Sequence, residues 1–402
     1  MPDARVLVDA ALAATSLPVV AWTTYLGALA ACSRALPEPR TDGPPSTRFD
    51  VIVPAHDEEL GVAATVANLL AVDYPAGLRR VVVVADNCRD ETAARARDAG
   101  ATVIVRTDAD RRGKGYALAL AFERSAAEGF ADAVVVVDAD TTATPNLLRA
   151  FDARLRAGAR AVQAEYRVAN RDASWRTRLM HIGFTLFHDV RSRARERLGV
   201  SVGLRGNGMA FSLPLLREVP HDAFSLVEDV EYGVRLGLAG HRVHYAGDAQ
   251  VFGEMASSEA ASRSQRRRWE GGRWALARKH AAPLVAQGVR RRSAVLLDLA
   301  ADLLVPPLTY VAFALLLGVA ASLSWVALGH GAWWAAAPWV VALAGFSLYV
   351  GRGLVLARVG PRVVLDLAWA PVYMVWKVAL AARSSPSRER EWVRTAREGE
   401  KP

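Results

Sequence analysis

The chain is poor in cysteine and in lysine. Its two cysteines, Cys32 and Cys88, supply no disulfide framework and no zinc-ligand spacing in 402 residues. Lysine occurs only at positions 114, 279, 377 and 401, so the formal net charge of +9 is carried almost entirely by arginine. That bias, alongside abundant alanine and valine, can reflect a GC-rich coding sequence, and net charge alone therefore names no partner. What the sequence has in excess is apolar residues: 52% of the chain is hydrophobic, with a mean hydropathy of +0.13. They crowd before residue 32 and after residue 293, which argues for membrane segments rather than an unusually apolar core.

Residues 6–31 are almost uncharged after Asp9 and exceed the roughly 20 apolar residues that a bilayer crossing takes. Arg5 precedes the stretch while Arg34, Arg40 and Arg48 follow it, an asymmetry that places the next domain in the cytoplasm. The apolar core is too long, and the residues before it too weakly charged, for a cleaved signal peptide. Leu29-Ala30-Ala31-Cys32 resembles a lipoprotein cleavage box, but alanine-rich segments produce such tetrapeptides by accident. Further on, 303–328 and 332–350 read as two spans joined by a turn at Gly329–Gly331. Before them, 293–305 carries Asp298 and Asp302 four apart on one face of an otherwise apolar helix, which reads as lying in the interface. Segment 363–382 is interrupted by Asp366, Pro371 and Lys377, so a re-entrant or interfacial hairpin is expected rather than a third crossing.

Between these ends, a linker rich in proline (37–48) leads into alternating strands and helices. Asp50–Pro54, Arg80–Ala85, Thr102–Val105 and Ala133–Val137 are short runs rich in branched residues, with helical stretches such as 61–70 and 92–99 between them. Such alternation predicts βαβ units around a mainly parallel, Rossmann-like sheet. Thr144-Pro145 reads as an N-cap and first helical position after the fourth strand. The doubly wound part is expected to end near 165, with a more irregular stretch to about 260.

Acidic residues fall where such sheets bind ligands, just beyond the carboxyl ends of strands. His56-Asp57-Glu58-Glu59 follows the first strand, Asp86 the second, Asp138-Ala139-Asp140 the fourth, and Glu228-Asp229 a later polar break. Each cluster alone reads equally as an N-cap or a solvated turn. Four at strand ends would be a coincidence on that reading, and together they describe one site. Alternating carboxylates such as Asp138 and Asp140 can converge on one divalent ion that bridges phosphate oxygens.

The ordered series Val53-Pro54-Ala55-His56-Asp57-Glu58-Glu59, Asp86, Gly113-Lys114-Gly115, Asp138-Ala139-Asp140, Glu228-Asp229 and Gln265-Arg266-Arg267-Arg268-Trp269 resembles that of family 2 glycosyltransferases. It is most similar to the membrane group that includes cellulose, chitin, hyaluronan and poly-N-acetylglucosamine synthases. The resemblance covers roughly residues 49–275, and Gln-x-x-Arg-Trp is its most specific part. It implies a GT-A type α/β catalytic domain accompanied by transmembrane and interfacial helices. The expected division is a transmembrane helix (1–36), the linker (37–48), a cytosolic catalytic domain (49–262) and interfacial helices (263–302). Two spans (303–350), the ambiguous segment (351–383) and a cytosolic tail (384–402) follow. The expected location is the cell (inner) membrane, multi-pass.

By the same resemblance, Pro54, Glu58 and Asp86 line the nucleotide pocket, and Asp138 and Asp140 hold a metal–diphosphate, with Asp140 the more direct ligand. Asp229 is the general base, and Glu228 orients the acceptor. Gln265, Arg268 and Trp269 lie under acceptor and diphosphate. Lys114 either reaches the donor or is a solvated loop lysine. Gly206-Asn207-Gly208 either lets backbone approach the acceptor or is a plain tight turn. Two departures stand out: the family usually has asparagine at Asp57 and an aromatic at His56. Cys88 reads as a small buried filler.

The implied reaction is inverting transfer from a nucleotide diphosphate sugar, a uridine diphosphate sugar first, with Mg2+ or Mn2+. The acceptor is a growing polysaccharide or, alternatively, a lipid or lipid-linked molecule. Beyond the bilayer itself, the small membrane part leaves room for a membrane partner subunit. A nucleotidyltransferase also uses paired aspartates but needs neither Asp229 nor the Arg-Trp pair; a catalytically degenerate scaffold would not keep these acids. Nucleic acid is set aside, because the membrane-flanking position of Arg263–Lys279 accounts for its basic and aromatic residues.

Overall fold

Valine-rich runs bury both faces of a strand, and here they form the centre of one sheet. The computed structural model describes residues 4–37, 39, 43–255, 259–360, 367 and 374, with the side chains of 259–268 left undescribed. Eight strands are ordered β3-β2-β1-β4-β7-β6-β8-β5. β1 (Phe49–Ala55), β2 (Arg79–Asp86), β3 (Thr102–Arg106) and β4 (Ala133–Val136) are mutually parallel. α1 (Ala4–Cys32) precedes them, and α2 (Val62–Leu70), α3 (Thr92–Asp98) and α4 (Lys114–Glu128) make the crossovers. One apolar layer lies on each face of the sheet: Val51, Val53 and Val135 point into one, Ile52, Val84 and Val134 into the other.

The expected irregular stretch after 165 is instead regular. β6 (Ala161–Val168), β7 (Met209–Ser212) and β8 (Val243–Gly253) extend the same sheet, with β7 antiparallel between β4 and β6. β5 (Thr141–Ala143) pairs with the end of β8. α5 (Leu147–Arg156) begins after Asn146, not at Thr144-Pro145. The Thr144 hydroxyl faces Asn146 Oδ1 at 2.7 Å and also accepts the Gln250 N–H at 3.0 Å, so it fastens the β5–β8 edge rather than capping a helix.

α6 (Trp175–Phe184) and α7 (Arg191–Arg197) are joined by a π-helical turn over 185–190, a distortion that tends to mark functional positions. Then come α8 (Leu213–Glu218), α9 (Glu228–Leu238), the long α10 (Glu259–Arg291) and α11 (Ala294–Leu304). α12 (Leu308–Ala327) and α13 (Trp333–Ala357) complete the described helices.

Among the described residues, three helices are long and apolar enough to cross a membrane: α1, α12 and α13. The two spans expected at 303–328 and 332–350 correspond to the last two. α1 and α13 pack closely: a Cβ on Gly345 would lie 2.8 Å from the Thr23 carbonyl, the close approach that small residues allow between membrane helices. α11 packs on α9 and α10 through Leu296, Leu299 and Leu303. The aspartates that made it read as interfacial are turned into the protein, where arginines receive them. The expected hairpin at 363–382 lies outside the described residues apart from Leu367 and Met374.

Candidate active site

Because β1 and β4 run parallel, the residues that follow them leave the same edge of the sheet. A cavity of about 570 Å³ opens there. Pro54, Glu58, Asp138 and Asp140 line it from the strand ends. Lys114 lines it from the start of α4, Gly206 from the loop before β7, Glu228 and Asp229 from the start of α9, and Trp269 from α10.

Lys114 is the hub. Its Nζ lies 2.5 Å from Asp138 Oδ1, donates to the Gly206 carbonyl at 2.6 Å and stands 3.9 Å from Glu228 Oε1. It is therefore no solvated loop lysine. Burial works against its charge, but the Asp138 and Glu228 carboxylates outweigh that and hold its pKa up. Burial pushes the Glu228 carboxyl up to about 7, against the pull of Lys114 and with Asp229 adding to the rise. Asp229 is raised by burial too, opposed by the Val230 N–H in the first turn of α9, where helix N-termini favour anions. Gly206 holds a positive φ of 78°, and a Cβ there would lie 3.4 Å from Asp229 Oδ2. The backbone thus passes directly beside the carboxylate.

Two expected residues, Asp86 and Asn207, sit elsewhere, as does Asp57. Asp86 is 1% exposed and absent from the cavity lining. Its Oδ1 is taken by Arg106 at 2.6 Å and by Asn87 at 3.1 Å, which turns it into the protein at the end of β2. Asn207 is fully buried behind the cavity: its amide donates to Thr141 Oγ1 at 2.7 Å and accepts the Asp138 N–H at 3.2 Å. It positions the Asp138 backbone and does not face the cavity. Asp57 has φ of 54°, a left-handed turn that Asn, Asp and Gly tolerate best, and its Oδ1 accepts the Arg89 N–H at 2.7 Å. The side chains of Gln265 and Arg268 lie outside the described residues.

Among the described residues, Asp57, Cys88 and Asp90 bring three potential metal-ligand atoms within 4.8 Å of one another. Asp57 and Asp90 are already engaged by backbone N–H groups and Thr92, and burial pushes the Cys88 thiol up. The cluster fastens a turn, and Cys88 fills it. Asp138 and Asp140 suit a hard divalent cation better. Both line the cavity, and Mg2+ or Mn2+ uses only one or two carboxylates, with phosphate and water completing the shell.

The sequence reading missed the other half of the cavity. Arg191, Arg205 and Arg273 line it, with Phe184 and Phe187 beside them and Val305 to Thr309, at the foot of α12, beyond. Asp302 on α11 takes Arg191 at 2.9 Å, Arg195 at 2.8 Å and Arg273 at 3.2 Å. Asp298 lies 3.1 Å from Arg195. The visible signal was the four-residue spacing of the two aspartates; their partners come from α7 and α10.

Comparison with known proteins gives the family. Residues 44–272, more than half of the chain, match the model of the family described as glycosyltransferase like family 2. The chain belongs to that family. The chain is 25% identical over 252 residues to the probable glycosyltransferase YdaM of Bacillus subtilis, covering 60% of this chain and 58% of that protein. It is 30% identical over 149 residues to glucomannan 4-beta-mannosyltransferase 2 of Arabidopsis thaliana, covering 36% of this chain and 28% of that one. The chain thus spans less than two thirds of either relative. In fold, the transferase is similar to a mannosyltransferase from Pyrobaculum calidifontis solved with GDP-Man and Mn2+. The TM-score is 0.54 at 19% identity, over 91% of this chain and 99% of that one.

Proposed function

We propose that this protein is an inverting glycosyltransferase that moves a sugar from a nucleotide diphosphate sugar to an acceptor hydroxyl at a membrane surface. The observation that carries the reading is the meeting of Asp138, Asp140, Lys114, Glu228, Asp229 and Trp269, from four separate chain segments, around one cavity. Asp229 acts as general base. It takes the proton from the acceptor hydroxyl while the hydroxyl oxygen bonds to the anomeric carbon. The bond from that carbon to the diphosphate breaks, and its electron pair leaves with the nucleoside diphosphate. A base needs a pKa near the working pH, and burial moves Asp229 in that direction. Glu228 orients the acceptor, and Pro54 and Glu58 face the nucleotide. Trp269 offers a flat apolar face to a sugar ring, and Gln265 and Arg268 complete the acceptor and diphosphate contacts. Asp138 and Asp140 would hold a divalent cation, which supplies Lewis-acid stabilisation of the leaving diphosphate.

α1, α12 and α13 cross the bilayer in this reading, with the domain at 49–262 in the cytoplasm. The cavity reaches the foot of α12, an apolar helix of membrane length. That favours the lipid or lipid-linked acceptor over a growing polysaccharide. The decisive experiment is a donor screen on membranes containing the protein, with UDP-sugars and, because similar proteins are named mannosyltransferases, GDP-mannose. Nucleoside diphosphate release that stops in Asp229→Asn is expected, by about 10²-fold or more. Pyrophosphate release, or unchanged turnover in the variant, overturns the mechanism. One-sugar products support the lipid acceptor, and a ladder of products refutes it.

A further inference from the structure

Four guanidiniums, those of Arg191, Arg195, Arg205 and Arg273, gather beside the reaction cavity against two carboxylates, Asp298 and Asp302. Three of the arginines share those carboxylates. Arg205 makes no close ion pair among the described residues, although its charge also acts on Asp229 and Asp302. It is 8% exposed, its Nη2 donates to the Val202 carbonyl at 2.9 Å, its guanidinium lies 4.1 Å from the Phe187 ring centroid, and its Nε is buried without a partner. A buried cation so placed is destabilised until an anion meets it. Burial, with Arg195, Arg273 and Arg191 adding to the effect, lowers its pKa to about 9, only partly offset by Asp302.

The neighbours say what bears the anion. Phe187, Pro306 and Leu308 line the same cavity, and Leu308 begins an apolar helix of membrane length. We propose that Arg205, flanked by Arg191 and Arg273, is the subsite for a phosphate ester on an amphiphilic acceptor, whose aliphatic part enters along the foot of α12. The site would select acceptors with a hydroxylated head group beside an acidic phosphate and an apolar tail. This rests on the transferase reading above and names its acceptor class. Guanidinium suits the task because its planar fork binds phosphate oxygens in pairs.

The test uses the full chain in dodecyl maltoside micelles, which carry no phosphate, and measures binding directly. Lauroyl lysophosphatidylglycerol and diglycerol monolaurate carry the same tail, the same pair of glycerol units and the same free hydroxyls, and differ by the phosphate that joins the glycerols. The wild type is expected to bind the first at least about tenfold more tightly, the margin of one charge-assisted hydrogen bond. Arg205→Gln should remove that preference, and Arg205→Lys should restore part of it. Nucleoside diphosphate binding should stay unchanged in both variants. Equal binding of the two amphiphiles by the wild type overturns the proposal without recourse to any variant. An equal loss of nucleoside diphosphate binding in Arg205→Gln would make Arg205 a donor contact and overturn it as well. Glycerol phosphate binding as tightly as the lysolipid would mark a free-phosphate site and refute the lipid source. Phosphate preference without sugar transfer would sink the transferase reading and leave this subsite standing; transfer without preference would do the reverse.

Discussion

Replacing Lys114 by methionine keeps the length of the side chain and removes the one charge that faces Asp138 and Glu228 together. At the 3.9 Å between Lys114 Nζ and Glu228 Oε1, a pair of unit charges in an effective dielectric of about 20 interacts by roughly 4 kcal/mol. One pKa unit corresponds to about 1.4 kcal/mol, so up to about three units of support for the ionised Glu228–Asp229 pair would be lost. Water in the cavity reduces this, but Lys114 and Glu228 side chains keep only 15% and 11% of their exposure, and a shift of at least about one unit survives that screening. The direction follows from the chemistry: the base must be ionised, so activity rises with pH through the pair's titration. Losing the cation moves that rise to higher pH. The assay is the pH profile of kcat/KM for nucleotide-sugar consumption, with circular dichroism to confirm the fold. Lys114→Arg should stay near the wild type. An acid limb that does not move, together with a raised donor KM, would refute the reasoning and make Lys114 a donor contact.

Glu228→Gln tests the same electrostatics through stability. The folded protein binds the Glu228 proton more tightly than the unfolded chain does, so the burial penalty is absent below about pH 4 and grows as pH rises through about 7. The variant should melt higher than wild type at pH 8, by up to about 3 kcal/mol, and the gap should close toward pH 5; a gap independent of pH contradicts it. Asp302→Asn removes the carboxylate shared by Arg191, Arg195 and Arg273, and a loss of about 3–5 kcal/mol is expected. Thermal unfolding in detergent reads it, and an unchanged Tm would mean that Asp298 alone neutralises the cluster. Chelation should halt sugar transfer and added Mn2+ or Mg2+ restore it, whereas lysolipid binding at Arg205 should persist through chelation.

The first half of the sheet was legible because β1, β2 and β4 carry runs of valine and isoleucine with acids at or just beyond their ends. β6 and β8 hid for the opposite reason. Gln163, Glu165 and Arg167 break the apolar run in β6, and β8 bulges over 247–249, where Ala164 pairs with Ala246 but Glu165 with Gln250. The Glu165 carboxylate is satisfied by Arg167 at 2.7 Å and Gln250 at 3.0 Å, partners that no local pattern announces. The acids of the site could be read one by one from their strand ends. That Asp86 is claimed by Arg106, and Asn207 by Thr141, depends on neighbours brought in by folding. The arginine half of the cavity was invisible for the same reason: α7, the loop before β7, α10 and α11 meet only in three dimensions.

The arginine node also reaches the membrane-length helices. Tyr25 on α1 gives its hydroxyl to Asp298 at 2.8 Å and lies 2.7 Å from Arg195, while the Tyr349 hydroxyl on α13 receives Arg191 at 2.9 Å. Trimming the chain to a water-soluble fragment would therefore cut through the back wall of its own working chamber. Anyone preparing this enzyme for crystals or assays should keep both tyrosines, and with them the helices that carry them.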